Sequence, residues 1–386
     1  VSDVPTLEEL EVPLEHTALR LDAQDILSQP AGRIEALDGL RGVACIVVLL
    51  DHIAGALHRD LNVDNVLIRV ARSGWIGVDL FFVLSGFLIT GILLENRGQA
   101  HYFRNFYARR SLRIFPLYFG VLALLLFRSL AFAGSTYGSF QTQLWLWTYT
   151  SNVGIALRGW EPFAFLGHLW SLSVEEHFYL VWPVLVCYLT PTNLARTAMA
   201  IVALVFVARI GAVFGGVTPR AVYILTPFRA DGLALGGLLA MTVRHGRVER
   251  LTRVARWTVA ITTSALIAFG AATGGYLDFE APLVQALGFT LLATLSAALV
   301  ILALAPGVMR RLLSSGVLRW FGKYSYGIYV WHPIVLVSVP VLLLHVGKPL
   351  RIATMVPTSL ALVAAIALAS WYFWEKPFLK LKHHFE

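Results

Sequence analysis

Residues 74–94, GWIGVDLFFVLSGFLITGILL, form a nearly unbroken apolar run that contains a single carboxylate, Asp79. About twenty such residues are what a helix needs to cross a hydrocarbon layer ~30 Å thick. Inside that layer backbone N–H and C=O groups find no water, so only helices and closed barrels can span it. The run shows no alternation of period two, which leaves the helix. Similar stretches recur near 38–57, 75–94, 112–132, 171–189, 196–214, 226–243, 256–275, 282–305, 326–346 and 351–374. With 57% of 386 residues hydrophobic and 14% charged, the composition excludes an ordinary soluble domain. The expected fold class is an all-α integral membrane protein, a bundle of about ten transmembrane helices. Cys45 and Cys187 fall inside apolar runs without metal or disulfide spacing and read as small packing residues.

Charge orients the bundle. Arg97, Arg104, Arg109, Arg110 and Arg113 crowd one connection; Arg244, Arg247, Arg250, Arg253 and Arg256 a second; Arg310, Arg311, Arg319 and Lys323 a third. With about ten spans all three lie on one face, and basic connections mark the cytoplasmic face. Both termini are expected there: an acidic soluble tail over 1–32 and a basic tail over 378–386, flanking one membrane domain over 33–377. The long 133–170 connection, whose only Arg or Lys is Arg158, falls outside. Within it, 141–157 carries an aromatic girdle that suits an interfacial or re-entrant helix better than a crossing, and Trp145, Trp147, Tyr149 and Trp160 suit an interfacial belt. The net charge of +8 is then a topology signal in the plasma membrane, and nucleic-acid binding is not needed to explain it.

Ionisable residues inside spans are costly unless they face the bundle interior or a watery cavity, so each is a functional candidate. Arg41 and His52, eleven positions apart (52 − 41), share one stripe of the first span, with His52 about 16 Å further along the axis. Asp79 descends in the second span to about the depth of His52, which suggests a carboxylate that orients or charge-balances an imidazole base. The plainer alternative is that each bonds to backbone or to a structural partner. Arg229 and Asp231 read as a structural pair, Gly232, Gly236 and Gly237 as close helix packing, and Ser85 beside Gly86 as packing rather than a nucleophile.

Several ordered motifs then agree. RIEALDGLRGVACIVVLLDH, GWIGVDLFFVLSGFLIT, FYARRSLRIFPLYF, LWSLSVEEHFYLVWP, FRADGLALGGLLA, YSYGIYVWHP and WEKP follow one another between residues 33 and 377. Together they resemble the membrane-bound acyltransferase-3 family, whose members O-acylate sugars and other acceptors from acyl-CoA. The resemblance implies His52 as general base, taking the proton of an acceptor hydroxyl as it attacks the thioester. It implies Arg110 and Arg113 as phosphate ligands, with Arg41 and Arg109 as auxiliaries. Glu175 and Glu176 would bind acceptor hydroxyls or support His52, with capping of the fourth span as the alternative; Tyr326 and His332 would line the acyl or pantetheine channel, with a satisfied core histidine as the alternative for His332. His177 departs from the pattern, where a Gln-like residue is expected. No metal or tightly bound cofactor is called for. Acyl-CoA, most simply acetyl-CoA, would be co-substrate; a cell-surface glycan the acceptor; the bilayer, and another copy of the chain, the partners. The alternatives are a secondary transporter with a His/Asp relay and the same chemistry on a small lipophilic metabolite.

Overall fold

The computed structural model describes residues 34–131, 139–244 and 248–385. The tail expected over 1–32 lies outside the described residues. Among them there is no strand, and ten helices are of fifteen residues or more. These are α1 (Glu35–Leu61), α2 (Gly77–Glu95), α3 (Tyr102–Ala131), α4 (Trp170–Tyr188) and α5 (Pro191–Phe214). They continue with α6 (Ala230–Arg244), α7 (Val248–Ala272), α8 (Phe289–Leu304), α9 (Gly316–Leu342) and α10 (Lys348–Ser370). The chain is an all-α, multi-pass membrane protein. Among the described residues, eight helical stretches are long and apolar enough to cross on their own. The other two expected spans fall short for visible reasons. Glu175, Glu176 and His177 interrupt α4, and α6, at 15 residues, is only about 22 Å long.

The 141–157 stretch resolves into two eight-residue helices, Phe140–Trp147 and Ser151–Arg158. Tyr149 turns the chain between them at φ 54°. Each helix is about 12 Å long, too short to cross. A 3-10 segment, Glu161–Leu169, then feeds α4.

Small residues let the central helices touch. A Cβ on Gly86 of α2 would lie 1.9 Å from the Leu233 carbonyl oxygen, and one on Gly236 of α6 2.1 Å from that of Val83. Without a hydrophobic drive between helices in lipid, such backbone approach is what holds them together. α1 and α9 meet in the same way, since a Cβ on Gly322 would lie 1.8 Å from the Asp38 carbonyl oxygen. Leu204, Val207 and Phe214 on α5 and Trp257, Ile261 and Ile267 on α7 are exposed, as lipid-facing side chains should be. Beyond α10 the chain stays helical as far as it is described. It forms the helix Lys376–Lys380 and the 3-10 turn Leu381–Phe385.

Candidate active site

α3 starts ten residues before the span expected from hydropathy (112 − 102 = 10), so Arg109, Arg110 and Arg113 stand in its third and fourth turns rather than at its beginning. Spacings of three and four bring neighbouring guanidinium groups onto one face. That face borders a cavity of about 260 Å³ to which α1 contributes Arg41 and Asp38, α2 contributes Leu88, Ile89 and Leu93, and the final turn contributes Lys382.

A second space of about 80 Å³ adjoins the first through Arg41, Ser85, Arg110 and Arg113, which line both. It is a neck walled by Val78, Phe81, Phe82, Ile114 and Leu172, with Ser171, Glu175, Ser325, Tyr326 and Tyr329 as polar members beside those shared four. Tyr326 donates to the Ile114 carbonyl at 2.6 Å, which fixes its ring on the wall of this neck. A third cavity, about 290 Å³, adjoins the neck through Val78 and Tyr329 and contains His52. Trp75, Trp160, Trp170, Tyr223 and Phe279 give it aromatic walls; Asp51, Arg59 and His168 add polar groups. Arg41 and His52 therefore lie on one stripe of α1, bordering opposite ends of a consecutive series of cavities.

Glu175 belongs to the neck. Its Oε2 accepts from the Tyr179 hydroxyl at 2.9 Å and lies 3.6 Å from Arg110 Nη2. Arg110 in turn donates to the Tyr179 oxygen and packs its guanidinium 4.0 Å from the ring centre, while Ser85 Oγ hydrogen-bonds the same hydroxyl. Glu175 is thus the counter-ion of a cavity arginine, a full turn inside α4, and neither caps that helix nor borders the His52 cavity. Glu176 corrects the sequence reading too. It lines none of the three spaces, and its Oε1 is buried without a hydrogen-bond partner.

The expected partnership of Asp79 with His52 is absent. Asp79, 4% exposed, accepts from Arg229 Nη2 at 2.9 Å. Asp231, expected to pair with Arg229, instead meets Arg209 of α5 at 2.7 Å. Two ion pairs tie α2, α5 and α6 together where one local pair was expected, and Phe82 and Phe289 flank the Arg229 guanidinium at 5.6 and 4.3 Å. The cause is azimuth. Asp79, Val83 and Gly86 share one face of α2, and that face is the one pressed against α6, because buried charge settles against the nearest opposite charge.

His52 is oriented by its own helix. Nδ1 lies 2.9 Å from the Val48 carbonyl, and since a carbonyl only accepts, Nδ1 carries the hydrogen and Nε2 keeps its lone pair. The Asp51 carboxylate is 3.7 Å from Nδ1. His332, expected along the channel, lines none of the three spaces. It is 1% exposed, bonds its Nδ1 to the Ile328 carbonyl at 3.1 Å and sets its ring against His52 at 4.7 Å. His168 completes this aromatic backing, 5.2 Å from His332.

Sequence reasoning missed Tyr179, His168 and Lys382. The first had a readable signal, since Glu175 and Tyr179 are spaced to meet on one helix face. The other two come from a 3-10 segment and a terminal turn, where periodicity is silent.

The arrangement offers a basic basin for a polyanion, a narrow neck of mixed lining and an imidazole on the wall of an aromatic chamber. A family model for an acyltransferase domain, acyltransferase-3, matches residues 34–375. The peptidoglycan O-acetyltransferase OatA of Listeria monocytogenes is 32% identical over 80% of this chain and 50% of its own length. The putative peptidoglycan O-acetyltransferase YrhL of Bacillus subtilis is 30% identical over 89% of this chain and 54% of its own. The O-acetyltransferase OatA of Staphylococcus aureus is 26% identical over 90% and 57%. The chain thus spans about half the length of the curated relatives it matches. No solved structure matches it.

Proposed function

The chain belongs to the acyltransferase-3 family, and from that premise we propose that it is a plasma-membrane O-acyltransferase, moving an acetyl group from cytoplasmic acetyl-CoA to a hydroxyl of a cell-surface glycan of the peptidoglycan kind. The observation that carries this reading is the series of adjoining cavities from Arg41, Arg110 and Arg113 to His52.

The donor's phosphates bind the arginines through charge-assisted hydrogen bonds. Its linear pantetheine arm runs through the neck, past Ser85 and Tyr326, and presents the thioester to His52. The acceptor hydroxyl enters the aromatic chamber, whose ring faces suit the apolar face of a sugar. His52 Nε2 takes the hydroxyl proton as the oxygen attacks the thioester carbonyl. The C–O bond forms, the C–S bond breaks, and the proton passes from His52 to the departing thiolate. Val48 holds the productive tautomer throughout. A transporter reading has no comparable support now that the family is known.

The test is acetyl-ester formation by the purified protein given acetyl-CoA and peptidoglycan fragments, with CoA release measured in parallel. The reading expects ester and CoA in equal amounts, and loss of both in His52→Ala. Near-normal turnover in that variant would remove His52 from the chemistry. Transfer only to lipophilic alcohols would keep the chemistry and replace the acceptor.

A further inference from the structure

Lys382 reaches the cationic cavity from the 3-10 turn Leu381–Phe385, and neither the motifs nor the mechanism above uses it. The segment before and around it is pinned to α3. Trp374 Nε1 donates to the Pro116 carbonyl at 2.8 Å, the Trp374 ring packs against Gly120, and the Arg104 guanidinium lies 5.5 Å from the Phe385 ring. Lys382 is therefore a built part of the wall.

Five basic side chains line this cavity, Arg41, Arg109, Arg110, Arg113 and Lys382, against one acid, Asp38; burial and the neighbouring arginines push the pKa of the Lys382 ammonium down to about 7, a depression that a bound anion would relieve. Of the five, Arg110 already has Glu175 as a counter-ion at 3.6 Å. The remaining surplus suits a ligand with several negative charges. The cations are also ordered along the passage. Arg41, Arg110 and Arg113 border both the cavity and the neck, whereas Arg109 and Lys382 border the cavity alone.

Coenzyme A carries its charges in the same order. The pantetheine arm joins a diphosphate, and the diphosphate joins a ribose that bears a separate 3′-phosphate. With the arm in the neck, the diphosphate falls beside the three neck-side arginines and the 3′-phosphate lies further out. We propose that Arg109 and Lys382 form a subsite for the 3′-phosphate monoester of the donor, so that the enzyme distinguishes CoA from its 3′-dephospho form. The inference rests on the acyl-CoA reading above and goes beyond it by naming the group recognised and the residue from the terminal turn that recognises it. A phosphate monoester carries about −1.5 to −2 charges and three acceptor oxygens, enough to engage a guanidinium and an ammonium at once.

The experiment is calorimetric titration of CoA and of 3′-dephospho-CoA into the full protein in nanodiscs of zwitterionic lipid, for the wild type, Lys382→Ala, Lys382→Arg and Arg110→Ala. The wild type should bind CoA about tenfold more tightly than dephospho-CoA, the size expected for one charge-assisted contact. Lys382→Ala should lose that preference while binding dephospho-CoA as the wild type does, which also shows that the variant is folded. Lys382→Arg should keep the preference, and Arg110→Ala should weaken both ligands. Equal weakening of both ligands by Lys382→Ala, or no weakening of either, overturns the subsite and leaves the donor reading standing. Absence of binding of both ligands by the wild type overturns the donor reading, and the subsite with it.

Discussion

At the scale of single residues, His52 and Asp79 separate what depth can and cannot decide. Both were legible in the sequence as intramembrane ionisable groups; Asp79 is buried in the bundle, and His52, partly exposed, lines a cavity. Their pairing was not legible, because equal depth says nothing about azimuth. Asp79 lies on the α2 face that also carries Gly86, and that glycine leads to α6, toward Arg229 and away from His52. The two residues therefore answer to different tests. Asp79→Ala leaves Arg229 buried without its carboxylate, a loss of about 3–5 kcal/mol for a broken buried pair. A thermal unfolding scan in detergent should show a clear fall in midpoint, and Asp79→Leu combined with Arg229→Met should recover much of it. A wild-type midpoint for Asp79→Ala would mean that the pair does not hold these helices. His52→Ala should leave the midpoint nearly unchanged while transfer falls by about 10²–10⁴-fold, the usual worth of a general base.

At the scale of elements, the order and approximate place of the ten long helices followed from hydropathy, and their ends did not. The third span was expected from 112, yet α3 runs from Tyr102. A hydropathy window stops at charge, whereas a helix continues through arginines that face a cavity. The segment around Tyr149 was read as interfacial or re-entrant, and a residue other than glycine at φ 54° breaks it into two short helices. No propensity scale marks such a position. Contacts between helices were better foreseen, since Gly236 packs as the small-residue pattern suggested. Gly236→Leu would drive a side chain into the Val83 carbonyl, at a cost of about 1–3 kcal/mol or more. Reduced monodispersity and a lower unfolding midpoint are expected, and an unperturbed protein would contradict the close approach. The arginine face of α3 makes its own prediction. Arg110→Ala with Arg113→Ala should raise the acetyl-CoA concentration for half-maximal rate by about tenfold or more, and an unchanged dependence would return these residues to a role in topology.

For the whole molecule, what matters is that the ends of the passage differ. One is cationic, built by α1, α3 and the terminal turn; the other is aromatic, built around His52 and the segments preceding α2 and α4. The motifs lie on the right helices, but no linear reading could show that Val78 and Tyr329 wall both the neck and the imidazole chamber, since they lie on α2 and α9. The proposed reaction takes its donor and its acceptor from opposite sides of a membrane. Sealed proteoliposomes with the protein in one defined orientation measure this directly: acetyl-CoA is supplied to one face at a time, with the glycan acceptor on the other, and acetyl ester is quantified. Ester should form only when acetyl-CoA meets the face bearing the arginines and the acceptor meets the face bearing His52, and none should form with His52→Ala. Transfer that occurs only when both substrates share one face, or that survives the loss of His52, would contradict the account.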